Sequence, residues 1–274
     1  MAILADFHMH TAFSADSEAP LTSMVEGAIN KGLKHICITE HMDHDFPIYE
    51  DLENLEWEVN VDSYLYELLN ARNKYEKNIN VGFGIELGLQ ESAFRANALT
   101  AKGHEFDFII ASIHLVNKVD PWLPEYFEGR SERDSFEAYF KAIKSNIDRF
   151  NNFDVLGHMD YVVRYAPDKD SNYSPIDYKD LIDDILTSLI ENEKGIEINT
   201  SAIYKSGLKD PNPHPDIIKR YKELGGEIIT IGSDAHKPEH IALSFDRAEE
   251  ILKECGFNYY ATFEQRVAHF NKLS

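Results

Sequence analysis

The sequence predicts an α/β protein in which helices cover a parallel sheet. Three observations carry that expectation. Seven short apolar runs rich in β-branched residues recur along the chain, most are separated by segments of helical periodicity, and unusual polar residues collect at the C-terminal ends of the runs.

In order, "AILADFH" precedes a helix expected over 21–32, and "HICITEH" precedes one over 61–77. "NVGFGIELG" leads to a helix over 92–103 and "FDFIIASIH" to one over 133–150. "FDVLGHMD", "GIEINTS" and "EIITIGSDAH" precede helices over 178–194, 216–224 and 244–255. Pro20 suits the opening of the first helix, while Gly32, Gly103 and Gly195 fall where helices are expected to stop. Near-continuous apolarity in the runs means strands buried on both faces, as parallel sheets require. An open doubly wound sheet and a closed barrel both satisfy this pattern.

The chain has 274 residues, 43% of them hydrophobic, with no low-complexity tract and no Pro/Ser-rich linker, so one domain over 1–274 is expected. A net charge of −21 repels nucleic acid and anionic membranes, leaving a small substrate as the expected partner and the oligomeric state open. Two cysteines, Cys37 and Cys255, offer no disulfide framework and fit a reducing compartment. Without a basic, apolar leader or a membrane-length apolar stretch, the expected location is the cytoplasm.

His8 and His10 close the first run, His41 the second, Glu86 the third, His114 the fourth and His158 the fifth, while Asp234 and His236 close the seventh. In parallel β/α proteins loops converge on that edge, which is where sites assemble. Strand side chains alternate between faces, so His8 and His10 share one, as do Asp234 and His236. One histidine at a strand end is ordinarily a hydrogen-bonded core residue, and a single His-x-His is weak evidence. Two such pairs, with further imidazoles and a carboxylate at the same edge, are costly to bury without a cation. Mixed imidazole and carboxylate donors suit zinc, manganese or iron better than calcium. The donors exceed what one ion needs, and Glu86 is placed to bridge two.

Together "DFHMHTAFSADS", "TEH", "GIELG", "SIHLV", "GHMDYVVRY" and "GSDAH" resemble the polymerase-and-histidinol-phosphatase superfamily, in particular its histidinol-phosphate phosphatases. The resemblance implies a distorted (β/α)7 barrel holding up to three divalent ions at the C-terminal strand ends. It implies His8, His10, Glu86 and Asp234 around a first ion, Glu86, His114 and His158 around a second, and Asp16, His41 and His236 around a third. Some superfamily members carry histidine where Asp16 stands, so the third site is the one expected to vary. Asp6 is expected to orient a ligand histidine.

Other polar residues near the runs have bland readings as well as functional ones. Asp160 and Arg164, in "GHMDYVVRY", can be an exposed ion pair, but a guanidinium close to metals suits a phosphate, and Arg164 is expected to bind it. Asp160 or His44 is expected to protonate the departing alcohol, with Glu86 completing the catalytic set. Asn117 and Lys118 after His114, and Ser201 and Lys205 after "EINTS", are weaker candidates for lining the substrate pocket, and for these a purely structural role is the simpler reading. His35, His104 and His269 read as bystanders, and His214 and His240 as loop residues.

The residues themselves argue for metal-assisted hydrolysis of a small phosphorylated substrate. The resemblance selects L-histidinol phosphate, and hence histidine biosynthesis. Another small phosphoester, such as a nucleotide, a sugar phosphate or phosphotyrosine, uses the same metals. A non-catalytic metal protein is a third reading, although a structural zinc needs only four closed ligands. An amidohydrolase-like enzyme often bridges its metals with lysine, and no lysine lies at a suitable strand end.

Overall fold

A computed structural model describes residues 3–49 and 55–273. Seven parallel strands run in sequence order: β1 (Ala5–Asp6), β2 (His35–Met42), β3 (Asn80–Gly88), β4 (Phe108–Ser112), β5 (Val155–Leu156), β6 (Gly195–Asn199) and β7 (Ile229–Gly232). Between and around them lie α1 (Leu21–Asn30), α2 (Val61–Tyr75), α3 (Phe94–Gly103), α4 (Glu132–Ile147), α5 (Lys179–Glu191), α6 (Ser201–Ser206), α7 (Pro215–Glu223) and α8 (Phe245–Glu254).

The sheet closes on itself beyond the short β1. Phe7 N–H donates to Ile231 O at 2.9 Å, Asp234 N–H to His8 O at 2.7 Å and His10 N–H to Ala235 O at 2.9 Å. These bonds join the first and seventh strand segments and resolve the choice between open sheet and barrel: the fold is a nearly closed, distorted (β/α)7 barrel. The distortion has a local cause, because β1 and β5 pair with their neighbours over two residues each, whereas β2 and β3 pair over eight positions.

Strand interiors are buried on both faces, which is why they read as apolar runs. The helices bury one stripe; in α5 that stripe is Ile182, Ile185, Leu186 and Leu189. Asn60 and Ser131 cap α2 and α4 by accepting from Ser63 N–H and Asp134 N–H. The sequence placed helix ends within a few residues, with one reassignment: α5 ends at Glu191, and Gly195 opens β6 instead of stopping a helix. A side chain at Gly195 would overlap the Ile228 carbonyl on the adjacent strand, so close backbone approach is what requires glycine there.

The sequence reading assigned no strands after the seventh run, yet β8 (Tyr259–Glu264) and β9 (Val267–Lys272) form an antiparallel hairpin. It closes the barrel end opposite the histidines. Phe263 packs on Phe108 at 5.0 Å between ring centroids, and Arg266 Nε donates to Asp154 Oδ2 at 2.5 Å. No helix among the described residues is long and apolar enough to cross a membrane.

Candidate metal centre

Register determines the centre. The β2–β3 ladder sets His41 beside Glu86, and β4 then carries His114 up to the same edge. Glu86 is fully buried, and five imidazoles surround its carboxylate. Oε2 lies 3.3 Å from His8 Nε2, 3.5 Å from His10 Nε2 and 3.1 Å from His41 Nδ1, while Oε1 lies 3.3 Å from His114 Nε2 and 3.0 Å from His158 Nε2. One carboxylate therefore presents its two oxygens to two sets of nitrogens, the disposition expected of a bridging ligand.

A second lobe adjoins the first. His236 Nε2 lies 2.8 Å from Asp16 Oδ2, His41 Nε2 lies 3.7 Å from the same oxygen, and His10 stacks on His41 at 4.2 Å between centroids. Asp234 Oδ1 lies 3.7 Å from His10 Nε2 and 3.5 Å from His236 Nδ1. Its backbone takes φ 53°, a left-handed conformation uncommon outside glycine and typical of residues held for a site. All nine expected ligands thus converge at one barrel mouth. The ligand atoms of six of them fall within 4.8 Å of one another in three sets: His8, His10 and Glu86; His41, Glu86 and His114; and His10, His41 and His236. The grouping differs from expectation, since His41 faces Glu86 with one nitrogen and Asp16 with the other, and His10 groups with His41 and His236 as well as with His8 and Glu86.

The donor chemistry fits divalent ions. Glu86 Oε2, His41 Nδ1 and Asp43 Oδ2 are buried without a hydrogen-bond partner, although they crowd together. His8 Nε2 and His10 Nε2 face each other at 3.1 Å. Electron pairs aimed at one another in a buried space are the inventory of a cation site. The electrostatics agree: burial opposes the shifts, yet the Glu197 and Glu86 carboxylates raise His8 well above the usual imidazole range, and Asp43 and Glu86 do the same to His114. A field that concentrates protons in this way would equally hold metal ions in their place.

A second layer of anchors orients the imidazoles, and sequence reasoning missed it. Glu197 Oε1 accepts from His8 Nδ1 at 2.6 Å, and its Oε2 accepts from His158 N–H at 3.0 Å. Asp43 Oδ1 accepts from His114 Nδ1 at 2.7 Å, while Ser14 Oγ links His10 Nδ1 to Glu40. The signals were present in part: Glu197 is a charge inside the apolar run "GIEIN", and Asp43 alternates with His41 in "HMD". Glycine makes room for both acids. A Cβ on Gly88 would overlap the Asp43 carboxylate, and one on Gly232 would overlap Glu197 and His8.

Other expected site residues fall in different places. Asp6, expected to orient a ligand histidine, accepts from the backbone N–H of His8 at 3.4 Å but leaves its imidazole alone, and it also accepts from Ser233 N–H and Oγ and from Ala242 N–H, tying β1 to the segment after β7. Arg164 is buried at the mouth. Its Nε donates to Asn212 Oδ1 at 2.5 Å, its Nη2 to Asn199 Oδ1 at 2.9 Å, and its Nη1 lies 3.4 Å from Asp234 Oδ2. Asp160, expected as a proton donor, has both oxygens engaged, by Asn212 Nδ2 and by His214 N–H, and lines a separate cavity. Asn212 links it to the mouth, since the same amide accepts from Arg164 Nε. His44 is turned away, with Nδ1 at 2.9 Å from Glu58 and Nε2 at 3.2 Å from Thr100 Oγ1.

Ser201, expected in the substrate pocket, lies beneath the mouth with Oγ 2.9 Å from Asp234 Oδ2 and 2.7 Å from Asn199 Oδ1. Asn117 and Lys118 sit at the tip of a hairpin and line a neighbouring groove. Lys205 does reach the mouth, with Nζ 3.2 Å from Asp234 Oδ1 and 3.0 Å from His236 Nδ1. Trp57, Phe46, Asp120 and Tyr161 also line it. Burial pushes the Asp120 carboxyl up to about 6, and no basic side chain pairs with it among the described residues.

Comparison with known proteins gives this geometry a family. The chain is 34% identical over 265 residues to a probable histidinol-phosphatase of Clostridium acetobutylicum, covering 97% of this chain and 98% of that one. It is 30% identical over 270 residues to the histidinol-phosphatase of Lactococcus lactis, covering 98% and 97%. The crystal structure of histidinol phosphate phosphatase from Lactococcus lactis, complexed with zinc, L-histidinol and phosphate, superposes with a TM-score of 0.86 at 29% identity, covering 97% of this chain and 98% of that one. The PHP domain family model matches residues 6–201, and the chain belongs to the PHP domain family.

Proposed function

We propose that the chain is a metal-dependent phosphomonoesterase that hydrolyses L-histidinol phosphate to L-histidinol and phosphate. The observation that carries the metal-dependent part is Glu86, whose two oxygens face five imidazoles. The choice of ester rests on full-length likeness to histidinol-phosphatases, one of which has been crystallised with L-histidinol and phosphate.

In this reading His8, His10, Glu86 and Asp234 hold one divalent ion, Glu86, His114 and His158 a second, and Asp16, His41 and His236 a third. Such ions supply Lewis-acid neutralisation of phosphoryl oxygens and a more acidic attacking water. The chain's own residues do the rest. Arg164, immobilised by Asn212 and Asn199, presents a fixed cation to the phosphoryl group, and Lys205 adds a second at the rim. Asp120, rather than Asp160 or His44, is the group at the mouth suited to protonate the leaving alkoxide, because burial brings its carboxyl up to about 6, closer to neutrality than an ordinary carboxylate. Trp57 and Phe46, stacked at 4.6 Å, wall the mouth beside His41 and limit water around the ester.

The test is phosphate release by protein loaded in turn with zinc, manganese and iron. The panel comprises L-histidinol phosphate, a nucleoside monophosphate, a sugar phosphate and phosphotyrosine. A kcat/KM for L-histidinol phosphate at least about 100-fold above the others is expected, equivalent to about 2.7 kcal/mol of selective transition-state binding. Equal rates across the panel would reject the substrate assignment while leaving a general phosphoesterase standing.

A further inference from the structure

Side chains alternate along β2, so His41 faces the barrel mouth and Glu40 faces the other way, beneath the loop that joins β1 to α1. The Glu40 carboxylate is fully buried, and among the described residues no lysine or arginine pairs with it. Neutral groups of the loop cradle it instead. Thr11 Oγ donates to Oε1 at 2.5 Å, while Thr11 N–H and Ser14 Oγ donate to Oε2 at 3.1 and 2.5 Å. Phe13, between the two donor residues, packs on Tyr64 of α2 at 5.8 Å between ring centroids and holds the loop over the acid. A buried charge met by neutral donors alone costs stability, so packing by itself does not account for Glu40.

Counting protons around Ser14 gives the direction of each bond. Its hydroxyl has one proton, which goes to Glu40; turned towards His10, it would leave a carboxylate oxygen and a serine lone pair facing each other at 2.5 Å. The serine oxygen must then accept from its other two neighbours, the His41 backbone N–H at 3.0 Å and His10 Nδ1 at 3.1 Å. The His10 proton therefore sits on Nδ1. That leaves a lone pair on Nε2, the atom 3.5 Å from Glu86 Oε2 and 3.7 Å from Asp234 Oδ1. The same loop carries Asp16, two residues beyond Ser14, and Ser17 N–H donates back to Ser14 O at 3.2 Å.

We propose that Glu40 is a positioning residue for the metal centre: through Ser14 it fixes His10 in the Nδ1-protonated tautomer, and through Thr11 and Ser14 it sets the loop that presents Asp16. This role rests on the metal-centre half of the phosphatase reading and not on its substrate. His10 and Asp16 are held by one acid that touches neither, whereas His114 and His158 take their anchors from Asp43 and Glu197. A glutamine at position 40 would donate to Ser14 Oγ and turn the hydroxyl proton towards His10 Nδ1.

Two readouts on the full chain test this. Imidazole nitrogen NMR of histidine-labelled protein, with the His10 signals identified by their loss in His10→Ala, should show the proton on Nδ1 before and after zinc is added. In Glu40→Gln and Ser14→Ala the zinc-free protein should populate the Nε2-protonated form. Chelator competition should show at least one stepwise zinc affinity falling about 10- to 100-fold in both variants, with at least one step unchanged because His114 and His158 keep their own anchors. Thr11→Val removes a hydroxyl from the same carboxylate and spares the Ser14 bonds, so it should retain the wild-type His10 tautomer. Ser14→Ala is a small truncation and decides the matter if Glu40→Gln does not fold. A wild-type His10 protonated on Nε2 overturns the proposal, and so does a Ser14→Ala protein with wild-type tautomer and zinc affinities. Equal disturbance of the tautomer by Thr11→Val would reduce the effect to loop packing and reject the relay. Failure to hydrolyse L-histidinol phosphate would move neither readout, so the substrate assignment and the role of Glu40 fail separately.

Discussion

Replacing Glu197 with glutamine isolates the second layer of the metal centre without changing side-chain volume. In the wild type Glu197 is 1% exposed, and all its neighbours are donors: His8 Nδ1 at 2.6 Å on Oε1, and His158 N–H at 3.0 Å and Asn199 Nδ2 at 3.2 Å on Oε2. A glutamine has one acceptor to offer in place of two. If its oxygen stays on His8, its amide N–H groups point at two other donors, and buried unpaired donors cost about 1–3 kcal/mol. If it flips, the N–H faces His8 Nδ1, and the imidazole proton moves to Nε2, where the lone pair is needed by the metal.

Either outcome weakens the site containing His8, and loss of such an anchoring partner costs about 10- to 100-fold in metal affinity or activity, or about 1.4–2.7 kcal/mol. Zinc affinity measured by chelator competition, with His8→Ala as the reference for complete loss of that ligand, reads the effect. Wild-type affinity and turnover in Glu197→Gln would refute the assignment of Glu197 as the group that sets the His8 tautomer.

Three further outcomes follow from the geometry. Asp120→Asn should lower kcat by about 100-fold or more on an alkyl phosphate and by far less on p-nitrophenyl phosphate, whose leaving group needs no proton; equal losses would deny Asp120 the role of acid. Gly88→Ala should drive Asp43 off His114 and cost about 10- to 100-fold in turnover, with metal analysis showing reduced occupancy. Burial, far from the metals, pushes the His35 imidazole down to about 4, so folding favours its neutral form. That contribution is complete above pH 6.5, is lost as pH falls towards 4, and amounts to about 2–3 kcal/mol. Urea midpoints of wild type minus His35→Leu should therefore decline across this window, and a flat difference would contradict it.

What the sequence revealed follows from which interactions leave a local pattern. Alternating apolar strands and amphipathic helices report burial along the chain, so seven strands and most helices were legible. Histidines at strand ends were legible for the same reason, since each interrupts an apolar run. Asp160, His44 and Ser201 were misplaced because proximity in sequence to a ligand says nothing about where a loop residue turns. The 3-10 turn following Asp160 directs Arg164 into the mouth and leaves Asp160 behind it. Glu197 reads as one more strand residue until β6 is known to lie across from His8, two strands away around the barrel. Asp6 shows the converse, for its spacing from His8 suggested that it orients the imidazole, but the chain leaves its β2 ladder after Asp6, and the acid holds the His8 backbone N–H while its other bonds serve closure.

The same anchors make the metal centre part of the fold. β1 and β5 pair over only two residues with each neighbour, too little backbone to define their ends. Their polar bonds compensate: His8 reaches Glu197 on β6, Glu197 holds the backbone of His158 after β5, and Glu86 on β3 faces both imidazoles. Ions binding native imidazoles and carboxylates would therefore tighten the weakest strands. Binding to the folded state alone stabilises by RT ln(1 + [M]/Kd), about 4 kcal/mol when free metal is 1,000-fold above Kd. Chelation should lower the melting temperature, and amide exchange in the stripped protein should accelerate at 7–10 and 155–159 more than in β2 and β3, whose eight paired positions are self-sufficient. Uniform acceleration through all seven strands would show instead that the centre supports the barrel as a whole and that the short strands have no special dependence on it.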